Sequence, residues 1–398
     1  MRILQLCTKV PYPPKDGGAA GVYFFSKAFS DLHCEIDILA VNPPKHHISE
    51  SFFSEVPSSI HIHPVPFNTR PRADKALRNL FFSKMPYFVE RFINPDYLKS
   101  LLGLLNTNQY DVIQIEGVYL CPYLDEIRKH TKAKVVLRAH NIEYALWQDI
   151  AVNEKIIFKR VYLRLQAKRL KKFEIARFSE VDGVTSVTPA DCQVITSCCK
   201  NIKAMVAPFG IEPVQCPAPE EFNPHALFFL GALDWLPNIE AIQWFVLQIW
   251  PEIHRIYPEM RFHVAGRNPS PSLALMLSQR KGVEFYGEVA NARSFMQPYS
   301  IMVVPLFSGS GIRVKIIEAM QLGKIVIASA KAVDGIPAVD GEHLFIAESL
   351  SDYASCIRKL ISTPQLAATV SENASKFVNE QFNVRDIAAN VLRFYDQI

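Results

Sequence analysis

Asp-x-Asp occurs nowhere in these 398 residues, which excludes the familiar carboxylate pair that clamps a divalent cation against a diphosphate. H-E-x-x-H is missing too, as are G-x-G-x-x-G and G-x-x-x-x-G-K-[ST]. Those absences exclude a helical zinc site of that type, the dinucleotide fingerprint and the Walker phosphate loop. Cysteine stands at positions 7, 34, 121, 192, 198, 199, 216 and 356 with no C-x-x-C pair. Zinc and disulfide frameworks need repeated spacings, so a reduced, cytosolic chain is expected. No apolar run approaches the length of a transmembrane helix. The opening MRILQLCTKVPYPP reads as a short strand rather than a signal peptide. Excess charge of one sign is also lacking: 43 Lys and Arg face 39 Asp and Glu, a formal +4. That is too mild for a nucleic-acid binder, though it leaves room for a locally basic surface. What remains is 49% hydrophobic and 21% charged, the balance of a globular chain with sizeable cores and length for two or three domains.

Short apolar runs alternate with helical patterns through the first half. Strands are expected at Arg2–Cys7, Glu35–Ala40, Ser59–Pro64, Asp111–Ile115, Lys134–Ala139, Gly183–Val187 and Lys203–Ala207. Helices are expected at Ala20–Leu32, Pro95–Leu105 and Leu120–Thr131. Such alternation implies parallel sheets covered on both faces. "GIEPVQCPAPEEFNPHA", residues 210 to 226, has four prolines and no periodicity, as an interdomain linker would. The alternation then restarts at Leu227–Leu230, Arg261–Ala265, Val283–Tyr286, Ile301–Pro305 and Ile325–Ala328, and the chain ends in a helix over Val384–Gln397. The expected organisation is an α/β domain over 1–209, a linker over 210–224, a second α/β domain over 225–380 and a C-terminal helix over 381–398.

"LFSGSGIRVKIIEAMQLGKIVIAS", residues 306 to 329, is the densest stretch. A strand ending at Pro305 feeds a glycine-paired loop, and the loop feeds a helix of about three turns. In a parallel α/β domain ligands sit at the carboxyl ends of strands. Glycine lets backbone approach a ligand, and the free N–H groups of a first helical turn favour an anion. Arg313 and Lys315 add positive charge there, and a guanidinium grips phosphate oxygens in bidentate fashion. A diphosphate is the expected guest. Glu318 lies too deep to cap the helix and suits ribose hydroxyls. The alternative is a solvated helix whose Arg and Glu pair on the surface.

Two further clusters stand at strand ends. Gly17, Gly18 and Gly21 open a helix after the first strand, with Asp16 as its N-cap, either to approach a ligand or only to make the turn. "VVLRAHNIEYALWQ" ends a strand at Ala139 and delivers Arg138, His140, Asn141 and Glu143, of which His140 can donate to a sugar hydroxyl or phosphate and Glu143 can accept from one. Residues 153 to 178 form a helical stretch with nine basic residues, Lys155 to Arg177, against Glu154 and Glu174. Ile157, Tyr162, Leu163, Val161 and Leu165 recur in it at helical spacing. It reads as a helix resting on an anionic membrane surface, or as one packing a face and solvating the rest.

These pieces together resemble the GT-B glycosyltransferases of family 4, which use nucleotide-sugar donors and retain anomeric configuration. The resemblance runs nearly the whole length, through the first strand and Gly-Gly loop, "RAHNIEY", "FFLGALDWLPNIEAIQWF", "VAGRNP", "GVEFYGEV" and the 306–329 stretch. It implies two Rossmann-like doubly wound domains facing across a cleft, with the last helix returning to the first domain. The E-x7-E element of that family places its second Glu at Glu318, implied to hold the ribose. Its first falls on Ser310, so the direct carboxylate contact to the donor sugar is missing, and backbone around Gly309, Gly311 and Ile312 would serve instead. The region Gly231–Asn238 lacks the family's basic residues for the diphosphate, and Arg313 and Lys315 fit a G-S-G-x-R-x-K-x-x-E-A variant that supplies them. By resemblance His140 contacts the donor sugar or phosphate, Glu143 stands on the donor side, and Gly17 with Gly18 approaches the diphosphate.

The function implied is transfer of a hexosyl-type sugar from a UDP- or GDP-sugar to a glycan or lipid-linked acceptor in cell-surface polysaccharide synthesis. No cofactor or metal is expected, and the inner membrane face is the expected place of work. Two other readings stay open. A nucleotide-sugar epimerase of the same fold would need more acid/base carboxylates than Glu116 and Glu143. A catalytically silent nucleotide- or glycan-binding module is favoured by Ser310 alone.

Overall fold

A computed structural model describes residues 1–14, 17–44, 47–213, 222–309 and 311–398. Asp16, Ser310, Cys216 and most of the expected linker lie outside the described residues. The chain divides into one unit of Met1–Glu212 with Val384–Ile398 and another of Pro213–Asn383.

The first unit is built on β1 (Arg2–Cys7), β2 (Glu35–Val41), β3 (Ile60–Val65), β4 (Val112–Glu116), β5 (Lys134–Ala139), β6 (Gly183–Ser186) and β7 (Lys203–Val206). They form one sheet in the order β3-β2-β1-β4-β5-β6-β7, and every pairing is parallel. Strands buried on both faces are largely apolar; β1 and β4 follow this except for the buried Gln5 and Gln114, which are hydrogen-bonded to Ser26 and Tyr395, and Glu116 at the end of β4. One face packs on a cluster that includes Leu4, Ile113, Tyr97 and Leu137. The other packs on Phe25, Phe29, Ile36 and Val136 together with Val391 and Phe394 from the C-terminal helix. That helix, Val384–Gln397, therefore completes the core of the first unit, and Tyr395 donates its hydroxyl to Gln114 on β4.

The second unit carries β8 (Ala226–Leu230), β9 (Arg261–Ala265), β10 (Val283–Gly287), β11 (Ile301–Val304), β12 (Ile325–Ala328) and β13 (Phe345–Ile346). Their order is β10-β9-β8-β11-β12-β13, again all parallel. Phe229, Phe245, Trp250, Phe262 and Tyr353 fill its main cluster.

Two local differences from the expected elements have physical causes. The expected helix Leu120–Thr131 begins as a 3₁₀ turn over Val118–Tyr123 with Pro122 inside it and becomes regular only at Leu124–His130, because proline offers no N–H to an α ladder. The expected 153–178 helix is interrupted. A helix Glu143–Asn153 stops, and a new one runs Ile157–Phe178. In the break the Glu154 carboxylate accepts from the Ile156 N–H at 3.0 Å, and its carbonyl accepts from Arg160 Nε at 2.7 Å. The packed face of the longer helix is Leu163, Gln166, Ala167, Leu170, Glu174 and Phe178, whereas Ile157, Val161 and Leu165 are exposed.

Candidate functional site

Strand order reverses between β8 and β11 in the second unit, and the carboxyl ends of strands at such a switch point make a crevice for ligands. Two loops meet there. Gly231–Trp235 follows β8 and enters the helix Leu236–Trp244. Pro305–Arg313 follows β11 and enters the helix Val314–Gln321. The latter is shorter at its start than expected. Gly309 and Gly311 hold φ of 101° and 79°, a left-handed backbone that other residues rarely adopt, so Arg313 ends as the N-cap rather than in the first turn.

The basic side chains of that helix cross to the other loop. Lys315 Nζ donates to Asn238 Oδ1 at 3.1 Å and stands 4.4 Å from the centre of the Phe229 ring. Asn238 is buried, and its Nδ2 donates to the Ala232 carbonyl at 2.9 Å, which fixes the amide so that its oxygen faces the lysine. Arg313 is buried, donates to the Gly311 carbonyl and lies over the Trp235 ring at 5.5 Å. A Cβ on Gly309 would stand 2.9 Å from both the Arg313 guanidinium and the Trp235 ring, and one on Gly231 would stand 3.0 Å from Lys315 Nζ. Both glycines make room for the cations.

Lys315 keeps partial solvent access, but its ammonium is densely surrounded. Burial first, and the neighbouring Arg313 second, lower it to about 7. One turn on, burial raises the Glu318 carboxyl, with Arg293 opposing. Arg313 and Lys315 bring two positive charges close together, with Asp334 the carboxylate that acts on Arg313, and an anion bound beside the pair would lower the cost of that proximity. Gly231, Gly266 and Gly287 bring the neighbouring loops together behind the pair: Gly231 N–H donates to Ala265 O at 3.2 Å, and Gly266 N–H donates to Gly287 O at 2.7 Å.

In the first unit strand order reverses between β1 and β4. The helix Gly17–Asp31 follows β1, and Gly21 lets it settle on Phe209, whose ring would come within 2.2 Å of a Cβ there. Glu116 ends β4, and its Oε2 lies 2.6 Å from His140 Nε2 just beyond β5. His140 stays partly exposed and Glu116 is buried. Burial would raise the Glu116 carboxyl, but Arg138, His140 and Gln114 hold it below the ordinary value. Glu116 thus presents an oriented imidazole at the strand ends.

Arg138 does not join it in the crevice, contrary to expectation. Strand alternation turns its side chain inward, where it is 1% exposed, 3.9 Å from the centre of the Phe25 ring and 3.6 Å from Glu116. Glu143 is buried as well: its carboxylate accepts from Tyr119 Oη at 2.5 Å and from Asn141 Nδ2 at 3.4 Å. Sequence reasoning passed over Phe229 on β8 and also Trp235 and Asn238, although the last two stand in the stretch noted for lacking basic residues. Among the described residues no group of three His, Cys, Asp or Glu could hold a metal ion.

Residues 224–363 match the family Glycosyl transferases group 1. A 44.6 kDa protein in the cps region of Klebsiella pneumoniae is 20% identical over 98% of this chain and 99% of its own. Among solved structures, a mutant of S. aureus TarM in complex with fondaparinux, alpha-GlcNAc-glycerol and UDP superposes with a TM-score of 0.70 at 13% identity, over 99% of this chain and 100% of that one. Sucrose-phosphate synthase of Thermosynechococcus elongatus gives 0.68 at 17%, over 100% and 99%. HepE of Anabaena in complex with UDP and glucose gives 0.65 at 14%, over the whole of both chains. The fold is that of GT-B glycosyltransferase structures, and the matches support a glycosyltransferase.

Proposed function

We propose that this GT-B protein transfers a sugar from a nucleoside-diphosphate sugar to a glycan or lipid-linked acceptor, with retention and without a metal, in the making of a cell-surface polysaccharide. The observation that carries the reading is the pair of buried Arg313 and partly exposed Lys315, close together at the β8/β11 switch point with Glu318 one turn behind. In the reaction the bond between the anomeric carbon and the diphosphate oxygen breaks, a bond to the acceptor oxygen forms, and the acceptor hydroxyl loses its proton. The negative charge that gathers on the leaving diphosphate is what a catalyst must stabilise. Arg313 and Lys315 supply fixed positive charge at that point, aided by the N–H groups of the first helical turn. Glu318 accepts from the ribose hydroxyls, Gly309, Ser310, Gly311 and Ile312 lend backbone to the sugar and phosphates, and Gly17 and Gly18 approach the diphosphate. His140, turned by Glu116, contacts the donor sugar or phosphate.

UDP as the nucleotide and a cell-surface product are supported by the relatives, since TarM and HepE were solved with UDP and the Klebsiella protein lies in a cps region. Thermal-shift binding across UDP, GDP, ADP and their sugars, for wild type and Glu318→Ala, tests the reading. One nucleotide is expected to stabilise the wild type selectively and to fail with the variant. No stabilisation by any nucleotide would overturn it in favour of a silent module. Turnover lost in a chelator and restored by magnesium would overturn the metal-free part.

A further inference from the structure

The helix Ala73–Phe82 has a single buried residue, Asn79. Ten residues make only a marginal helix in water unless tertiary packing covers an apolar face, yet here Leu77, Phe81 and Phe82 are exposed, the last two at 70% and 86%. Its carboxyl end is tied to the helix Ile157–Phe178 through Arg169, which donates to the carbonyls of Asn79 and Leu80 at 3.2 and 2.9 Å. Gln166 Nε2 adds a bond to Asn79 Oδ1 at 3.1 Å. The two helices therefore present one surface. On the longer helix Ile157, Val161 and Leu165 run along the outward face at i, i+4, i+8, with Phe158 beside them at 85% exposure. That row continues into the exposed Lys168 and Lys172.

Asp74 pairs with Arg72 and Glu154 with Lys159 near these apolar tips, and the other exposed charges around them are basic. Lys75, Arg78, Lys84, Arg164, Lys168 and Lys172 are exposed, and no ion pair engages any of them among the described residues. Beside the tips lies a hollow of about 560 Å³, floored by Met85 and Phe173 and ringed by Lys84, Arg169, Lys172 and Arg177. Arg177 keeps an ion pair with Glu180 at 2.5 Å, so Lys84 and Lys172 are the free cations of the ring. Aromatic and aliphatic tips among unpaired lysines and arginines match the interface of an anionic bilayer, where apolar groups enter the acyl boundary and cations meet phosphates. An acidic protein face would supply the counter-charge but would leave the scattered tips without a matching groove.

We propose that this surface docks on an anionic phospholipid membrane, with Leu77, Phe81, Phe82 and Phe158 inserting and the ringed hollow taking a lipid phosphate. The contact extends the basic-helix reading by a second helix and a headgroup site, and it does not rest on the transferase reading, because its test reads lipid and no nucleotide. No helix among the described residues is long and apolar enough to cross a membrane, so attachment here is to one face.

The test is flotation of the full chain with vesicles of phosphatidylglycerol and phosphatidylcholine, against vesicles of phosphatidylcholine alone. Wild type is expected to float with the anionic vesicles and to bind the neutral ones at least about tenfold more weakly. The triple variant Phe81→Ser, Phe82→Ser, Phe158→Ser and the double variant Lys84→Glu, Lys172→Glu are each expected to lose about tenfold or more, with unchanged circular dichroism since every substituted position is exposed. Equal binding to both vesicle types, or none to either, would overturn the proposal, and stabilisation by millimolar glycerol phosphate without any vesicle binding would make the hollow a free-phosphate site. A concentration-dependent dimer that the triple variant abolishes, without vesicle binding, would assign the surface to a second copy of the chain.

Discussion

Lys315 Nζ and Asn238 Oδ1 lie 3.1 Å apart although 77 residues separate them in the chain. The bond joins the first turn of the helix Leu236–Trp244 to the helix after β11 and puts the lysine beside a loop, Gly231–Trp235, that has no base of its own. Burial and Arg313 lower its pKa to about 7, so near neutrality part of the population carries no charge there.

Nucleotide-sugar affinity should accordingly depend on pH. A bound diphosphate favours the ammonium, so below pH about 7 the cation is already present and affinity is full. Above that pH binding must take up a proton, and affinity should fall by up to about tenfold per unit. The diphosphate diester of a nucleotide sugar has no titrating proton between about pH 6 and 8.5, so titration calorimetry over that range reads the lysine. Lys315→Met should bind more weakly throughout and show a flat profile. A wild-type profile as flat as the variant's would remove Lys315 from the diphosphate.

His140 and Glu116 should separate function from stability. His140→Ala removes a partly exposed group that touches substrate in the proposed reaction. Turnover should drop by about ten- to a hundredfold with a small change in unfolding free energy. Glu116→Ala instead leaves the Arg138 guanidinium buried without a carboxylate, which should cost about 3–5 kcal/mol in denaturant unfolding. Equal destabilisation by both substitutions would make the histidine a structural group.

Gly266 is a packing test of the loops behind the two cations. A Cβ there would come within 2.0 Å of the Gly231 carbonyl oxygen, which is backbone and can move only with its loop. Gly266→Ala should lose about 1–3 kcal/mol and weaken nucleotide binding, because Gly231 also borders Lys315. Gly103, with nothing near its Cβ position, is the control: Gly103→Ala on the exposed face of the helix Pro95–Thr107 should gain up to about 1 kcal/mol.

The alternation of strands and helices was legible because parallel strands buried on both faces are mostly apolar runs, as β11 (IMVV) and β12 (IVIA) are throughout. The closeness of Arg313 and Lys315 and the left-handed turn at Gly309 and Gly311 were legible because both lie within one short stretch of sequence; an anion there is the proposal built on them. Asn238 was not, since an amide in the first turn of a helix signals nothing specific until the sheet brings Lys315 to it. Arg138 misled because the reading followed its place at a strand end and ignored alternation, which turns it inward. The row Ile157, Val161 and Leu165 has the same period as a core face. Only the packing of Leu163, Ala167 and Leu170 on the opposite side reveals it as the outer one.

Glu174 is the clearest case of a tertiary device hidden from local patterns. The helix Glu143–Asn153 has no side-chain cap of its own. Glu174, from the neighbouring helix, accepts from Glu143 N–H at 3.0 Å and Tyr144 N–H at 2.9 Å, holding the corner that carries His140. Burial pushes its carboxyl up to about 8 against the pull of those two donors. An unfolded glutamate ionises near 4.5, so between about pH 4.5 and 8 the folded state binds the extra proton. Stability from this group is thus full below 4.5 and is lost as pH rises toward 8, at up to about 1.4 kcal/mol per unit. Glu174→Gln replaces one accepting oxygen by an amide that faces a backbone N–H, and should cost about 1–3 kcal/mol at pH 5. The cost should shrink as pH rises, because the variant has nothing left to ionise. Denaturant unfolding of both proteins at several pH values measures the difference directly. A constant difference from pH 5 to 8 would mean that Glu174 is ionised throughout, with the two N–H donors prevailing over burial.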